Sequence, residues 1–481
     1  MASSPSGPSA ADMSELEALI ERLMGRLRLA VIFGGNKITP GAVVYPSANT
    51  RSWKSYETVA VDIADSLRRL GFRHVHLMPD DMSLGERLRR EGIHMAWLNS
   101  GGIQGHSPTA HAPSMLEMFG LPYVGHDPLA AASLDNKHAF KRGVMCAGLP
   151  TAPFTTWHMA RGDFRPDINS RFHRAFADYA GPFVVKPVSG RASLHVHVVQ
   201  HRSELPDAVA EVYRATGNLA LIEQYLPGRE FCIAVAGPVT ARGRRLVRGR
   251  QPFTVAPLER VLAPGEKIFT SMDLRPITGE RCRSLDAEAD AALLERMRRI
   301  ACEVFYEFNL GSLVRLDLRA DAAGELFILE ANPKPDLKRP AKNVTSLIAA
   351  GLPDAGMDYD DLILSLLADR LDFLLTHRTE SVRHIVDLGK GETYAAAGAR
   401  FAPASAPPQA AAAAYYGAAA ELAVAEKNRA AIDALAAEAA GAAAGHDVIR
   451  RINEVATEAS LWALDAVARR PATRRQRRTG S

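Results

Sequence analysis

Several features that mark common protein classes are missing from this 481-residue sequence. It has only four cysteines and no Cys-x-x-Cys pair, which argues against a zinc knuckle or a disulfide framework and fits a reducing compartment. The net charge of +4 is too small over this length to predict binding to nucleic acid or to an anionic membrane. No signal peptide and no run of about 20 strongly apolar residues is present. These absences predict a soluble, cytoplasmic protein.

What is present is the composition of a globular protein, with alternating strand and helix patterns. Hydrophobic residues make up 47% of the chain and charged residues 23%. From residue 28 onward, apolar runs such as LRLAVIFGG alternate with segments of helical periodicity. This alternation predicts a parallel, doubly wound domain over residues 28–128.

The two ends of the chain have a different character. Residues 1–13 are small and polar and are predicted to be disordered, followed by a short helix from Ser14 to Leu27 that opens with a serine cap. From residue 395 the chain is rich in alanine and ends in a basic stretch. This composition predicts a partly helical, partly disordered tail.

The densest chemical signal is the stretch LVRLDLRADAAGELFILEANPKPDLK, whose two alternating runs predict a β-hairpin. With Ala323-Gly324 as a two-residue loop, Asp317 lies opposite Glu330. The same register places Arg315 opposite Asn332, on the same face. Two opposed carboxylates repel unless a cation lies between them, and such oxygen ligands suit Mg²⁺. The other interpretation is the solvated polar face of an edge hairpin.

Lysine is scarce, so each lysine carries more information than usual: only 11 of the 58 basic residues are lysine. Lys186 lies near the end of the predicted strand FVVKPV, and Lys137 lies on an earlier predicted helix. Glu223 ends the apolar run of ALIEQYL, and Glu230 follows a Pro-Gly turn. An adenosine pocket needs an apolar wall and a carboxylate for the ribose hydroxyls. Taken singly, each pattern also fits a solvated strand end.

In this order, the segments resemble the ATP-grasp superfamily and, within it, the D-alanine–D-alanine ligases. The order is Gly-Gly after the first strand, then LPYVGHDPLAAASLDNKHAFKR, GLPTAPF, VVKP, IEQYLPGREF, R-x-D and LEAN. The resemblance covers residues 28–370 and implies an α/β fold in which two α+β lobes clasp ATP beside a Rossmann-like domain. It divides the chain into an N-terminal extension (1–27), a Rossmann-like domain (28–128), a central ATP-grasp lobe (129–220), a C-terminal lobe with the metal site (221–372) and the alanine-rich tail (373–481).

The resemblance implies a role for each residue that matches the family's motifs. The residues implied in ATP binding are Lys137, Lys186, Ser193, Glu223, Gln224, Tyr225, Leu226 and Glu230. The implied ligands of Mg²⁺ or Mn²⁺ are Asp317, Glu330 and Asn332. The residues implied at the reaction are Arg315, which steadies the transferred phosphoryl group, Lys267 on a mobile lid, and Glu57, which receives the first substrate's amino group.

The implied activity is that of an ATP-dependent carboxylate–amine ligase that joins two amino acids through an acyl phosphate. Its partners are small-molecule amino-acid substrates, and a homodimer is left open. Two alternatives remain at this point. One is an amino-acid or peptide ligase of specialised metabolism whose substrate is not D-alanine. The other is a catalytically silent, ATP-binding regulatory protein.

Three loops depart from the family's pattern. The phosphate loop reads SGRASLHV, so Arg191 and Ala192 replace small residues of the family, and NSGGIQGHSPTAHAP replaces a substrate-contacting loop. After the last predicted metal ligand the chain reads PKPDLKRPAK. From this third departure we predict an acceptor other than D-alanine, with Asp336 holding an amino group and Lys338 or Arg339 pairing with a carboxylate. The other interpretation is that these cations belong to a solvated surface loop.

Overall fold

The computed structural model describes residues 10–34, 56–190, 193–268, 281–341 and 345–391, all within a compact unit, Met1–Phe401. The long segment 35–55, the substituted positions Arg191 and Ala192, and the alanine-rich tail beyond residue 391 lie outside the described residues. Within the described ranges, no helix is both long enough and apolar enough to span a bilayer.

The helices and strands alternate along most of the described chain. The helices are α1 (Ala10–Met24), α2 (Glu57–Arg69), α3 (Leu84–Arg90), α4 (His111–Met118), α5 (Pro128–Asp135), α6 (Lys137–Cys146), α7 (Ser170–Phe176), α8 (Leu205–Thr216), α9 (Ala291–Glu307), α10 (Tyr359–His377) and α11 (Thr379–Lys390). The strands are β1 (Arg28–Gly34), β2 (His74–Asp80), β3 (Met95–Asn99), β4 (Tyr123–Val124), β5 (Phe154–Trp157), β6 (Phe183–Pro187), β7 (His197–Val199), β8 (Ala220–Gln224), β9 (Glu230–Ala236), β10 (Val239–Arg242), β11 (Arg245–Arg248), β12 (Phe253–Arg260), β13 (Cys282–Ser284), β14 (Val314–Ala320) and β15 (Leu326–Asn332).

The first sheet is parallel, as the alternating pattern predicted, with the strand order β2-β1-β3-β4. The central strand β1 is apolar on both faces and almost wholly buried, which is typical of a parallel sheet covered by helices on each side. The carboxyl ends of β2 and β3, at Asp80 and Asn99, lie along the same edge of this sheet, the one formed by the ends of the parallel strands. In open parallel sheets that edge is where ligands bind.

Two antiparallel sheets follow. The first has the order β5-β8-β6-β7, and α7 and α8 pack on it through a phenylalanine-rich core. The second has the order β13-β12-β9-β14-β15, and α9 packs on it through a second core. From the sequence, residues 250–283 are predicted to form a long loop. That prediction is wrong, because the structure places β12 within this stretch. Pro257 falls where the pairing of β12 with β9 shifts register, so the sheet accommodates it.

The first helix corrects the prediction for the N-terminus. α1 begins at Ala10, inside the stretch predicted to be disordered, and ends at Met24 rather than Leu27. Leu16, Ile20 and Leu23 are buried at helical spacing, so one face of α1 is part of the largest core. The polar composition before Met13 concealed this start. α1 is therefore packed against the rest of the described fold, including α11.

The last two helices extend the fold beyond the expected boundary. Residue 372 falls inside α10, and the buried Val382 and Ile385 of α11 join the largest core. α10 also covers α2 of the parallel sheet: Ser66 Oγ donates to Asp360 Oδ1 at 2.7 Å. The helix layer of the N-terminal sheet is thus completed by residues from the far end of the described chain.

Candidate active site

One pocket collects most of the residues that the sequence singled out. It is lined by Lys137, Lys186, Ser193, Glu223, Gln224, Tyr225, Leu226, Glu230, Arg315, Asp317, Glu330 and Asn332, together with residues discussed below. These side chains come from α6, from both antiparallel sheets and from the segment that follows β6. The structure therefore brings these predicted residues together in one pocket.

Two predicted reaction residues do not line the pocket. Glu57 is exposed at the start of α2, and the preceding residue, Tyr56, lines the pocket instead. Lys267 is also exposed, and its backbone carbonyl accepts a hydrogen bond from the Tyr225 hydroxyl at 3.1 Å. The chain from residue 269 to 280, where the rest of the expected lid falls, lies outside the described residues.

The β14–β15 hairpin has the predicted pairing but not the predicted turn. Asp317 pairs with Glu330 and Arg315 pairs with Asn332. Nearer the turn, however, Ala320 pairs with Leu326, so the connection is longer than two residues. A one-residue register shift between the two regions compensates for the longer turn. The predicted turn was too short and the predicted hairpin lacked the bulge. These two errors offset each other, so the predicted pairing of Asp317 with Glu330 is still correct.

Asp317 is held by arginines from two strands. The Arg315 guanidinium donates to both of its carboxylate oxygens, at 2.8 and 3.0 Å, and Arg260 Nη1 lies 3.0 Å from Asp317 Oδ2. Burial alone would raise the pKa of Asp317, but these two cations outweigh burial and lower it. Asp317 is therefore ionised and closely neutralised.

Glu230 forms a second ion-paired carboxylate in the same sheet. Arg319 lies directly across from it on β14, with Nη1 at 3.3 Å, and Arg260 Nη1 lies 3.2 Å from its other oxygen. Burial raises the pKa of Glu230, and the two arginines offset only part of this effect. The Arg319 guanidinium also stacks on the Tyr225 ring, 4.9 Å from the centroid, and donates to its hydroxyl at 3.1 Å. Arg260 thus links Glu230 to Asp317 across the floor of the pocket.

Glu223 lies between two buried lysines. Lys186 Nζ is 2.6 Å from one carboxylate oxygen and Lys141 Nζ is 2.8 Å from the other. Burial by itself raises the pKa of Glu223, but the two ammonium groups together hold it down at about 2. Lys141 is fully buried and also donates to Thr151 Oγ1 at 2.6 Å. Burial lowers the pKa of Lys141, and Glu223 offsets only part of that effect.

Lys137 is fixed at the point where α6 meets β6. The Asn136 side chain caps α6 by accepting from the first backbone N–H groups of the helix, and the Lys137 N–H donates to the Val188 carbonyl at 2.8 Å. The Lys137 ammonium donates to the Gly190 carbonyl at 3.0 Å and lies 3.3 Å from Glu330 Oε2. This lysine therefore bridges the phosphate-loop segment and the β14–β15 hairpin.

The oxygen ligands at the hairpin are compatible with a divalent cation. Glu330 and Asn332 line the pocket, and the Glu330 carboxylate remains 28% exposed. No cluster of three His, Cys, Asp or Glu side chains with metal-ligand geometry occurs in the described ranges. A donor set of two carboxylates and an amide suits Mg²⁺, which keeps several waters and binds substrate phosphates as well. Asp317 would join such a set by exchanging an arginine contact for the metal.

Sequence reasoning missed three charged residues of this site. Lys141 lies four residues after Lys137 on α6, so helical spacing could have found it. Arg319 continues the alternation of Arg315 and Asp317 along β14, so strand periodicity could also have found it. Arg260 had no comparable signal, because its strand was read as a loop.

Comparison with known proteins agrees with this geometry. The family model described as "D-ala D-ala ligase C-terminus" matches residues 144–368. The uncharacterized protein y4sG of Sinorhizobium fredii is 29% identical over 266 residues, which are 55% of this chain and 71% of that protein. The D-alanine–D-alanine ligase of Pelotomaculum thermopropionicum is 23% identical over 347 residues, 71% of this chain and 96% of the ligase. The crystal structure of the Bacillus anthracis D-alanine–D-alanine ligase complexed with ATP aligns with a TM-score of 0.50 and 18% identity, covering 74% of this chain and 99% of that one.

Two antiparallel sheets around a pocket of lysines and carboxylates, beside a parallel sheet, give the chain the ATP-grasp fold of the D-alanine–D-alanine ligases, as the sequence predicted. In sequence, too, the chain is similar to the D-alanine–D-alanine ligases, as the order of its motifs predicted.

Proposed function

We propose that this protein is an ATP-dependent ligase that joins the carboxylate of one amino acid to the amine of another through an acyl phosphate. The observation that carries the proposal is the paired face of the β14–β15 hairpin. It presents Arg315, Asp317, Glu330 and Asn332 to the same pocket that receives Lys137 and Lys186. Curated relatives with this activity match the chain over most of their own length.

In this proposal the nucleotide binds along β8 and β9. Lys137 and Lys186 would contact its phosphates, and Glu230, at the start of β9, would accept from the ribose hydroxyls. The N–H groups of Gln224 and Tyr225 already donate to Pro153 and Pro182. In this proposal the adenine edge is therefore read by the Gln224 carbonyl and by the peptide group of Leu226.

The chemistry requires charge neutralisation and exclusion of water. A carboxylate is a poor electrophile, and phosphorylation by ATP converts it into an acyl phosphate that an amine can attack. Lys137 and Lys186 would hold the negative phosphates, and Arg315 would face the transferred group from its bidentate position on Asp317. A bound Mg²⁺ or Mn²⁺ would add further positive charge beside Glu330 and Asn332. Water must be kept out until the amine attacks, because it would hydrolyse the intermediate.

The test is a matrix of D- and L-amino acid pairs, with phosphate release and product mass measured for each pair. Phosphate release that requires both a productive pair and a divalent metal, with a product heavier by one condensed amino acid, is the expected result. Binding of ATP without any amino-acid-dependent phosphate release would instead favour a silent regulatory protein. Productive pairs without D-alanine would identify a ligase of another substrate class.

A further inference from the structure

The sequence predicted Lys338 or Arg339 as the cation on the acceptor side of the pocket, but the structure places a different cation there. Neither Lys338 nor Arg339 lines the pocket. The backbone N–H of Lys338 donates to Asp336 Oδ1, and that of Arg339 donates to Asp62 Oδ2, both at 3.0 Å. Lys334 lines the pocket instead. The chain that leaves the hairpin therefore places an earlier lysine at the site.

Lys334 is held on an aromatic ring that belongs to the N-terminal sheet. Its ammonium nitrogen lies 3.2 Å from the centroid of the Tyr56 ring, a close cation–π contact. Tyr56 precedes α2, and its carbonyl accepts from Asn99 Nδ2 at 3.1 Å. Because Asn99 ends β3, this hydrogen bond holds the Tyr56 backbone at the carboxyl ends of the parallel strands, where ligands bind in open parallel sheets. The pair thus brings the β14–β15 hairpin and the parallel sheet together at the wall of the pocket.

The position of Lys334 suits the substrate that attacks second. It lies two residues beyond Asn332, so their Cα atoms are at most about 7 Å apart. Pro333 and Pro335 flank it and restrict the backbone on both sides. An amino-acid acceptor must bring its amine to the acyl carbon, and its own carboxylate is then one carbon atom away from that amine. Lys334 lies on the segment that follows the β14–β15 hairpin, close to the reacting centre, so its ammonium group can pair with this carboxylate.

We propose that Lys334, steadied by Tyr56, binds the carboxylate of the amine acceptor and makes the enzyme select acceptors that carry one. The proposal rests on the ligase function above and adds a residue that determines its specificity. It differs from the sequence prediction, which assigned this role to Lys338 or Arg339.

The experiment compares each productive acceptor with its amide, which has nearly the same size but no negative charge. In Lys334→Met, the KM for the acceptor should rise about 10- to 100-fold, the range for loss of a charge-assisted hydrogen bond, and the preference for acid over amide should fall by a similar factor. The KM for ATP should not change. Lys334→Arg should restore most of the preference. Lys338→Met is the matched control, because it removes the same charge from the same segment outside the pocket.

A second readout separates this proposal from the ligase function. The same amino acids and amides are titrated calorimetrically into protein saturated with Mg²⁺ and a non-hydrolysable ATP analogue. If the wild type forms no product with any pair, the ligase proposal fails, and the titration still decides the role of Lys334. Amino-acid binding that weakens in Lys334→Met but not in Lys338→Met supports the role. Equal binding by both variants, no binding to the wild type, or a rise in the KM for ATP as large as that for the acceptor overturns it.

Discussion

Lys141, Glu223 and Lys186 form a buried group of ion pairs, and we expect substitutions within this group to lower the free energy of unfolding by different amounts. Glu223→Gln removes the carboxylate from between two ammonium groups that lie 2.8 and 2.6 Å from it. Leaving buried charges without their partner typically costs about 3–5 kcal/mol. We therefore expect Glu223→Gln to lower the free energy of unfolding by about this amount at pH 7.

The lysine substitution should cost much less. The pKa of Glu223 is about 2 against an ordinary 4.5, and this difference corresponds to roughly 3 kcal/mol at neutral pH, shared between two lysines. Lys141→Met removes about half of that stabilisation and also removes the cost of burying Lys141. A loss of about 1.5 kcal/mol or less is expected. The double variant Lys141→Met/Glu223→Gln should then be more stable than Glu223→Gln alone, since only Lys186, at the pocket wall, remains unneutralised by Glu223.

Urea unfolding followed by far-ultraviolet circular dichroism measures all four proteins. The deficit of Glu223→Gln should also shrink as the pH rises from 7 to 10. Glu223 raises the pKa of Lys141, so its removal leaves burial to lower that pKa further below the unfolded value of 10.5. The folded variant therefore loses this proton at a lower pH than the folded wild type and gains more stability as the pH rises. A double variant whose loss equals the sum of the two single losses would refute the reasoning, because it would show that the two side chains do not interact.

Three further changes test other parts of the molecule. Asp317→Asn should abolish ATP-dependent phosphate release and also lower stability, since it deprives two buried arginines of their carboxylate. Glu330→Gln should abolish release with little loss of stability, because the Glu330 carboxylate is partly exposed. Equal unfolding curves for the two variants would contradict this prediction. Deletion of residues 396–481 should leave phosphate release unchanged, because every described residue that lines the pocket precedes that segment and the match to the family model ends before it. Loss of release on deletion would show that the tail is needed. Acidification from pH 6.5 to 4 should remove about 3 kcal/mol of stability through His94, whose pKa burial lowers to about 4, so that the unfolded chain takes up the proton first. His94→Asn should abolish that component of the pH dependence in the same unfolding assay.

For Asp317→Asn, the structure predicts a different effect on stability from the one that the sequence alone suggested. Two opposed carboxylates without a cation between them would repel, so removal of one would leave the apo protein equally or more stable. In the structure Asp317 is neutralised by Arg315 and Arg260. The sequence could not show this, because Arg260 ends β12, a strand that lies within the stretch predicted to be a loop.

The fold and the pocket differ in how far sequence could predict them. Local periodicity and motif order were sufficient for the parallel sheet, for the hairpin and for the joint location of Lys137, Lys186 and Glu230, because each depends on spacing within one segment or on the order of segments. Contacts between segments were harder. The stacking of Lys334 on Tyr56 joins the hairpin to the start of α2, and no spacing rule relates two positions so far apart in the chain. The alternative of a solvated hairpin face is wrong for Arg315 and Asp317, which are buried, although β15 does form the edge of its sheet.

The packing of α1 on α11 and of α2 on α10 has a consequence for how the chain folds during synthesis. The strands of the parallel sheet leave the ribosome early, but the helices that cover α1 and α2 are made only after both antiparallel sheets. Until residues 359–390 emerge, apolar faces of the N-terminal segment have no partner and are available to chaperones or to wrong contacts. The parallel-sheet segment should therefore be poorly soluble as an isolated fragment, and truncations that stop before α10 should aggregate even though they contain every described residue that lines the pocket.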